Sequence, residues 1–168
     1  AAGFEFIVNN FTWSNFRDRS LFKLGLIYFE DNQYEKSRDR LKLLLENYPE
    51  SEHTSAALYW VGESYSKENR VDDAIRFLEE AVSQRKNNKY IDQTIFALAF
   101  SYEKTGDYEN AVKYYDQLLS FHKNSSLAPA AQVRIGICYF KLNDYHSAIL
   151  ELNAPLISEL PDEQYSES

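Results

Sequence analysis

The chain has 168 residues, a formal net charge of −8, and 44% hydrophobic and 15% aromatic residues. This length and apolar content support one folded domain, whereas the acidic balance argues against nucleic acid as a partner, because phosphate binding needs a basic patch. Five Gly and four Pro are too few for a turn-rich β-sandwich or barrel, no apolar run is long enough for a membrane span, and one Cys cannot form an internal disulfide.

The first 16 residues match a segment that follows later in the chain. Phe4, Ile7 and Phe11 each lie 37 residues before another apolar residue, namely Leu41, Leu44 and Tyr48. We therefore interpret residues 1–16 as the second helix of a preceding repeat. Together with the absence of Met, this segment predicts that the chain is a fragment of a longer protein.

Residues 18–154 continue this pattern at the same interval of 37 residues. Four tyrosines mark it: Tyr28, Tyr65, Tyr102 and Tyr139. A small residue stands three positions before each Tyr: Gly25, Gly62, Ala99 and Gly136. A second small residue follows nine positions after each Tyr: Ser37, Ala74, Ala111 and Ala148. A large residue comes four positions later: Leu41, Leu78, Tyr115 and Leu152.

The two small residues of each unit predict two closely packed helices. Gly or Ala in the first helix lets the second helix approach, and we expect the second small residue to face it. The apolar residues Leu58, Val61 and Tyr65 follow the i, i+3, i+7 spacing of one helix face. We therefore predict four repeats, at residues 18–54, 55–91, 92–128 and 129–154.

The pattern resembles the tetratricopeptide repeat, which has the form L-G-x2-Y, then A-x3-F, then P. The second unit reads Val61-Gly62-x2-Tyr65 and Ala74-x3-Leu78. The resemblance implies an all-α fold, a right-handed superhelix of helix-turn-helix repeats whose first helices line a concave face. The family period is about 34 residues, so the three extra residues of each unit are expected between the second helix of one repeat and the first helix of the next.

The resemblance also implies which residues of the first helices line a concave groove that binds a protein or peptide partner. The predicted groove has mainly large apolar side chains, with a row of lysines at one lip. It consists of Phe22, Leu26, Phe29, Tyr59, Phe96, Phe100, Glu103, Ile137, Phe140, Lys67, Lys104 and Lys141. Packing between repeats is the alternative role for the aromatic residues, and ordinary solvated charge is the alternative for the lysines.

The junctions between units are similar to those of bacterial periplasmic versions of the repeat. The junction that starts at Tyr48-Pro49-Glu50-Ser51 and the segment from Ser125 to Tyr139 carry this similarity. It extends to the TolA-binding cell-envelope coordinators and to the lipoprotein of outer-membrane protein assembly. The resemblance implies a cell-envelope adaptor in the periplasm, and a cytoplasmic protein is the alternative.

No catalytic motif is present in the sequence. His53, His122 and His146 fall in different units without metal-ligand spacing, and there is no glycine-rich phosphate loop. We therefore predict no enzyme activity, no cofactor and no metal site. Cys138 lies in an apolar stretch and is predicted to be a buried core thiol.

Residues 155–168 are predicted to form a short capping stub and an acidic tail. Pro155 ends the preceding helix, because proline lacks the backbone donor and clashes with the preceding turn. An alternative function is structural assembly or self-association through the repeat ends and the convex face, and incomplete capping of the first unit would favour it.

Overall fold

The computed structural model describes residues 2–10, 16–84 and 88–154. Within these residues it contains nine α-helices and no β-strand. The helices are α1 (Ala2–Asn10), α2 (Arg17–Glu30), α3 (Tyr34–Asn47), α4 (Thr54–Lys67), α5 (Val71–Ser83), α6 (Ile91–Thr105), α7 (Tyr108–Phe121), α8 (Ala128–Lys141) and α9 (Tyr145–Leu152). The predicted all-α fold of helix-turn-helix repeats is confirmed. Phe11 and the stub and tail predicted at residues 155–168 lie outside the described residues.

The helix boundaries reproduce the interval of 37 residues. The first helices of the repeats begin at Arg17, Thr54, Ile91 and Ala128. The second helices begin at Tyr34, Val71, Tyr108 and Tyr145. Residues 31–33 form the short link inside the first repeat, whereas the longer segment 48–53 leads from α3 to α4.

The turn inside each repeat uses the same left-handed backbone position. Asn32, Asn69 and Asn143 have φ values of 57°, 59° and 63°, and Gly106, at the equivalent place in the third repeat, has a φ of 81°. Asn and Gly tolerate this conformation better than other residues do. The sequence of these turns therefore fixes where each helix pair reverses direction.

The chain divides into two compact units, Ala1–Thr94 and Ile95–Ser168. In the first unit, consecutive helices from α1 to α5 pack on each other, and α2 also adjoins α4. In the second unit, α7 packs on α8, and α8 packs on α9.

The repeated glycines lie where the two helices of a repeat approach, next to the small residue of the second helix and to the large residue four positions later. A Cβ atom added to Gly62 would lie 2.7 Å from Leu78 Cγ and 3.4 Å from the carbonyl oxygen of Ala74. Gly62 therefore faces Ala74 as expected, and it also makes room for Leu78, the large residue of α5. In the first repeat the small residue contributes differently, because the Ser37 hydroxyl donates a hydrogen bond to the Gly25 carbonyl at 2.8 Å.

The core of each unit is formed by the apolar residues of the repeat. Fully buried side chains include Leu21, Leu24, Leu41, Leu58, Val61, Leu78, Ile95, Leu98, Tyr115 and Ile135. Cys138 is also buried, which confirms the predicted core thiol. Burial, with a smaller contribution from Glu103, raises the pKa of the Cys138 thiol to about 12.

Candidate partner-binding site

The predicted groove aromatics of the first unit make stacked contacts within that unit. Phe22 on α2 is 6% exposed, and Tyr59 on α4 is 8% exposed. The Phe22 ring stacks on His53 with centroids 4.8 Å apart and an interplanar angle of 3°. The Tyr59 ring stacks on Tyr90 at 5.3 Å and 11°. Phe22 and Tyr59 thus take part in packing between repeats and have little surface left for a partner.

These two stacks are the same contact made twice. His53 is the N-cap residue of α4, and Tyr90 directly precedes α6. The two residues are 37 positions apart, and each lies 31 positions after its stacking partner. His53 and Tyr90 were not among the predicted site residues, although ring-bearing residues at the repeat interval are a visible signal for this row of stacks.

Phe29 and Leu26 are more accessible than Phe22, since both are only half-buried. Phe29 contacts Trp60 on α4 edge to face at 4.8 Å, and it contacts Tyr34 at 5.4 Å. Trp60 also contacts the rings of Tyr59 and Tyr90. Trp60, which the sequence analysis did not assign to the site, therefore connects the aromatic residues of α2 and α4.

In the second unit, three predicted aromatics keep accessible surface. Phe96 is half-buried and lies edge-on to Tyr115, with centroids 5.3 Å apart. Phe100 is half-buried, and the Lys104 ammonium lies 4.9 Å from its ring centroid. Phe140 on α8 is 57% exposed. Ile137, also on α8, is half-buried.

Glu103 takes part in a polar network inside the second unit. Its carboxylate accepts a hydrogen bond from the Tyr115 hydroxyl at 3.1 Å and one from Arg134 Nη1 at 3.0 Å. The Arg134 guanidinium carbon lies 5.0 Å from the centroid of the Phe100 ring. Burial of Tyr115, followed by the charge of Glu103, raises the pKa of the Tyr115 hydroxyl. Arg134, which the sequence analysis missed, thus links Glu103 to the aromatic face.

The predicted lysine row is exposed and lies in the last turns of the first helices. Lys67 ends α4, Lys141 ends α8, and Lys104 lies one residue before the end of α6. A cation at a helix C-terminus also interacts favourably with the helix dipole. Local stabilisation of the helix ends and docking of a partner explain the position of these lysines equally well. The docking role therefore stays a prediction.

The described residues contain neither a metal-binding cluster nor a membrane-spanning helix. No group of three or more His, Cys, Asp or Glu side chains there could hold a metal ion. None of the helices described there combines the length and apolar character needed to cross a membrane. The absence of catalysis stays a prediction from the sequence.

The helix pairs and the aromatic first helices define a helical-repeat protein of the kind that binds other proteins. The Tetratricopeptide repeat family model matches residues 19–51, 56–88 and 93–125, which together are more than half of the chain. The chain therefore belongs to the tetratricopeptide repeat family.

Solved structures with the same fold include MamA and the apo form of RapI. A crystal structure of MamA superposes with a TM-score of 0.79 at 18% identity, covering 99% of this chain and 85% of that chain. RapI superposes with a TM-score of 0.82 at 13% identity, covering 98% of this chain and 50% of that chain. A tetratricopeptide repeat protein from Parabacteroides merdae ATCC 43184 has a TM-score of 0.72 at 18% identity, covering 84% of this chain and 53% of that one. At these identities the similarity shows the fold alone. The comparison with curated proteins finds no match.

Proposed function

We propose that the chain is a non-catalytic scaffold that binds a peptide or a helix of a partner protein on its first helices. The main support for this proposal is a set of large aromatic side chains on α2, α6 and α8 that stay partly exposed to solvent. Phe29, Phe96 and Phe100 are half-buried, and Phe140 is 57% exposed. Partly exposed aromatic residues on three of the first helices favour a binding role there, because such surface is otherwise costly to hydrate.

The chemistry of these helices suits a peptide that brings large apolar side chains. Aromatic anchors give a large contact area at low entropic cost and dominate the energetics of many interfaces. The exposed Lys67, Lys104 and Lys141 add positive charge in the last turns of α4, α6 and α8. An amphipathic helix or an extended segment with apolar anchors is therefore the expected occupant.

We propose that the protein acts as an adaptor in the cell envelope of a bacterium. The similarity of the junctions at residues 48–51 and 125–139 to periplasmic repeat proteins supports it, and a cytoplasmic setting is the alternative. Fractionation of the source cells tests this point: recovery of the protein with a cytoplasmic marker would contradict the envelope assignment.

Selection from a random-peptide display library tests the binding function directly. We expect the folded chain to enrich peptides with large apolar residues, and the corresponding synthetic peptides to bind the purified protein in solution. Failure to enrich any peptide above the background of an unrelated helical protein would contradict the proposal.

Assembly through the repeat ends is a second candidate, favoured by one observation on α9. Tyr145, Ile149 and Leu150 are 53%, 60% and 59% exposed, so this last described helix leaves apolar residues uncovered. Such a surface suits another repeat or a second copy of the chain. Sedimentation that stays monomeric over a wide range of protein concentration would exclude self-association.

A further inference from the structure

A pocket of about 330 Å³ opens in the first unit, next to the stacked rings of Phe22 and His53. Residues of α2, the segment that precedes α4 and the segment that precedes α6 line it. His53 and Tyr90 give the pocket its flat aromatic walls, and the nearly buried Phe22 stacks on His53. This surface suits a large apolar side chain of a ligand.

Basic side chains surround the aromatic walls. Arg19 and Lys23 lie one helical turn apart on α2, and Lys89 precedes Tyr90. All three residues are exposed, and their side chains form no ion pair or hydrogen bond among residues 2–10, 16–84 and 88–154. Among the described lining residues, Glu52 supplies one carboxylate, 72% exposed and 3.8 Å from His53 Nε2. The pocket therefore has a local excess of positive charge on a chain whose net charge is −8.

The repeat fold does not require these cations. At the repeat interval, Arg19 corresponds to Ala56, Gln93 and Ala130. Lys23 corresponds to Trp60, Ala97 and Arg134, and Lys89 corresponds to Glu52 and Ser126. The combination of three cations is thus particular to this pocket, which favours a role in binding over a role in folding.

We propose that this pocket binds an acidic peptide segment of the partner, with a large apolar side chain between the aromatic walls and neighbouring Asp or Glu side chains on Arg19, Lys23 and Lys89. The proposal rests on the proposed function and specifies the partner's chemistry.

A nucleic acid is the other ligand class that offers both negative charge and flat rings. The net charge of −8 disfavours it, because a long polyanion is repelled by the rest of the chain whereas a short acidic segment carries few charges.

The test compares two charge-reversed variants with the same net charge. Arg19→Glu/Lys23→Glu/Lys89→Glu changes the pocket, and Lys36→Glu/Lys113→Glu/Lys123→Glu changes three exposed lysines outside it. The probes are fluorescein-labelled synthetic peptides enriched by the library selection and a labelled single-stranded oligonucleotide. Fluorescence anisotropy gives the affinities at low and high salt, and circular dichroism checks that both variants are helical.

We expect enriched peptides that combine acidic with large apolar residues, and a loss of affinity of roughly tenfold or more in the pocket variant at low salt, as the sum of three exposed ion pairs. The control variant is expected to keep its affinity within about twofold. Neutral enriched peptides, or equal binding by both variants, would overturn the pocket assignment and leave the binding function standing. If the oligonucleotide alone binds, both the pocket assignment and the proposed function are wrong.

Discussion

Gly62→Leu is expected to lower the free energy of unfolding by about 3 kcal/mol, the upper end of typical overpacking costs. A Cβ atom alone would lie 2.7 Å from Leu78 Cγ and 2.9 Å from Leu78 Cδ2, and Leu78 is fully buried. The larger side chain therefore forces α4 and α5 apart or moves Leu78 out of the core. Urea denaturation followed by circular dichroism measures the effect.

The matched control is the same substitution where space is open. Gly3 lies in α1, and a Cβ added there meets nothing within 4 Å beyond its chain neighbours and the backbone of its own helix. Gly3→Leu should leave stability unchanged or raise it slightly, because Leu has a higher helix propensity than Gly. Equal denaturation midpoints for the wild type and Gly62→Leu would show that Gly62 is not at a close helix contact.

Phe96→Ala with Phe100→Ala is expected to weaken binding of a selected peptide by about thirtyfold or more, since truncating interface hot spots typically costs roughly 2 kcal/mol or more. Both rings are half-buried on α6, so each has surface that a partner can cover. Phe96 also contacts Tyr115, and the variant should therefore lose some stability. Isothermal titration calorimetry is best performed well below the midpoint of thermal unfolding of the variant.

Aromatic truncations on the second helix of the same repeat provide the control. Tyr114 and Phe121 lie on α7, where Tyr114 stacks on Tyr102 and Phe121 is 79% exposed. Tyr114→Ala with Phe121→Ala removes comparable aromatic surface and should leave the affinity almost unchanged. A larger loss in this control than in the Phe96/Phe100 variant would place binding on the second helices instead.

The fold could be predicted from the sequence because the same pattern of small, apolar and aromatic residues recurs in each repeat. One Gly or Tyr is weak evidence, but Gly25 and Tyr28 recur as Gly62 and Tyr65 at an interval of 37 residues. Local signals also agree with the global pattern, as at the left-handed turn positions Asn69 and Gly106. This agreement between levels is characteristic of sequences that specify one fold.

The surroundings of the candidate site could be predicted only in part. Helix periodicity predicts which residues of a first helix share a face, but it does not show which of them a neighbouring repeat covers. Phe22 was predicted to face a partner, yet its ring stacks on His53, a residue 31 positions away in a connecting segment. The pairing of Glu103 with Arg134 likewise depends on how α6 and α8 approach within the second unit. Such contacts depend on side-chain conformation and helix spacing, which the repeat pattern leaves open.

Hydrogen–deuterium exchange with and without a selected peptide tests most directly the claim that the first helices bind the partner. Saturating peptide is expected to slow exchange chiefly in α2, α4, α6 and α8, because contacts there suppress local opening of these helices. Little change is expected in α3, α5, α7 and α9. Protection confined to the second helices or to the exposed surface of α9, with the first helices unchanged, would contradict it.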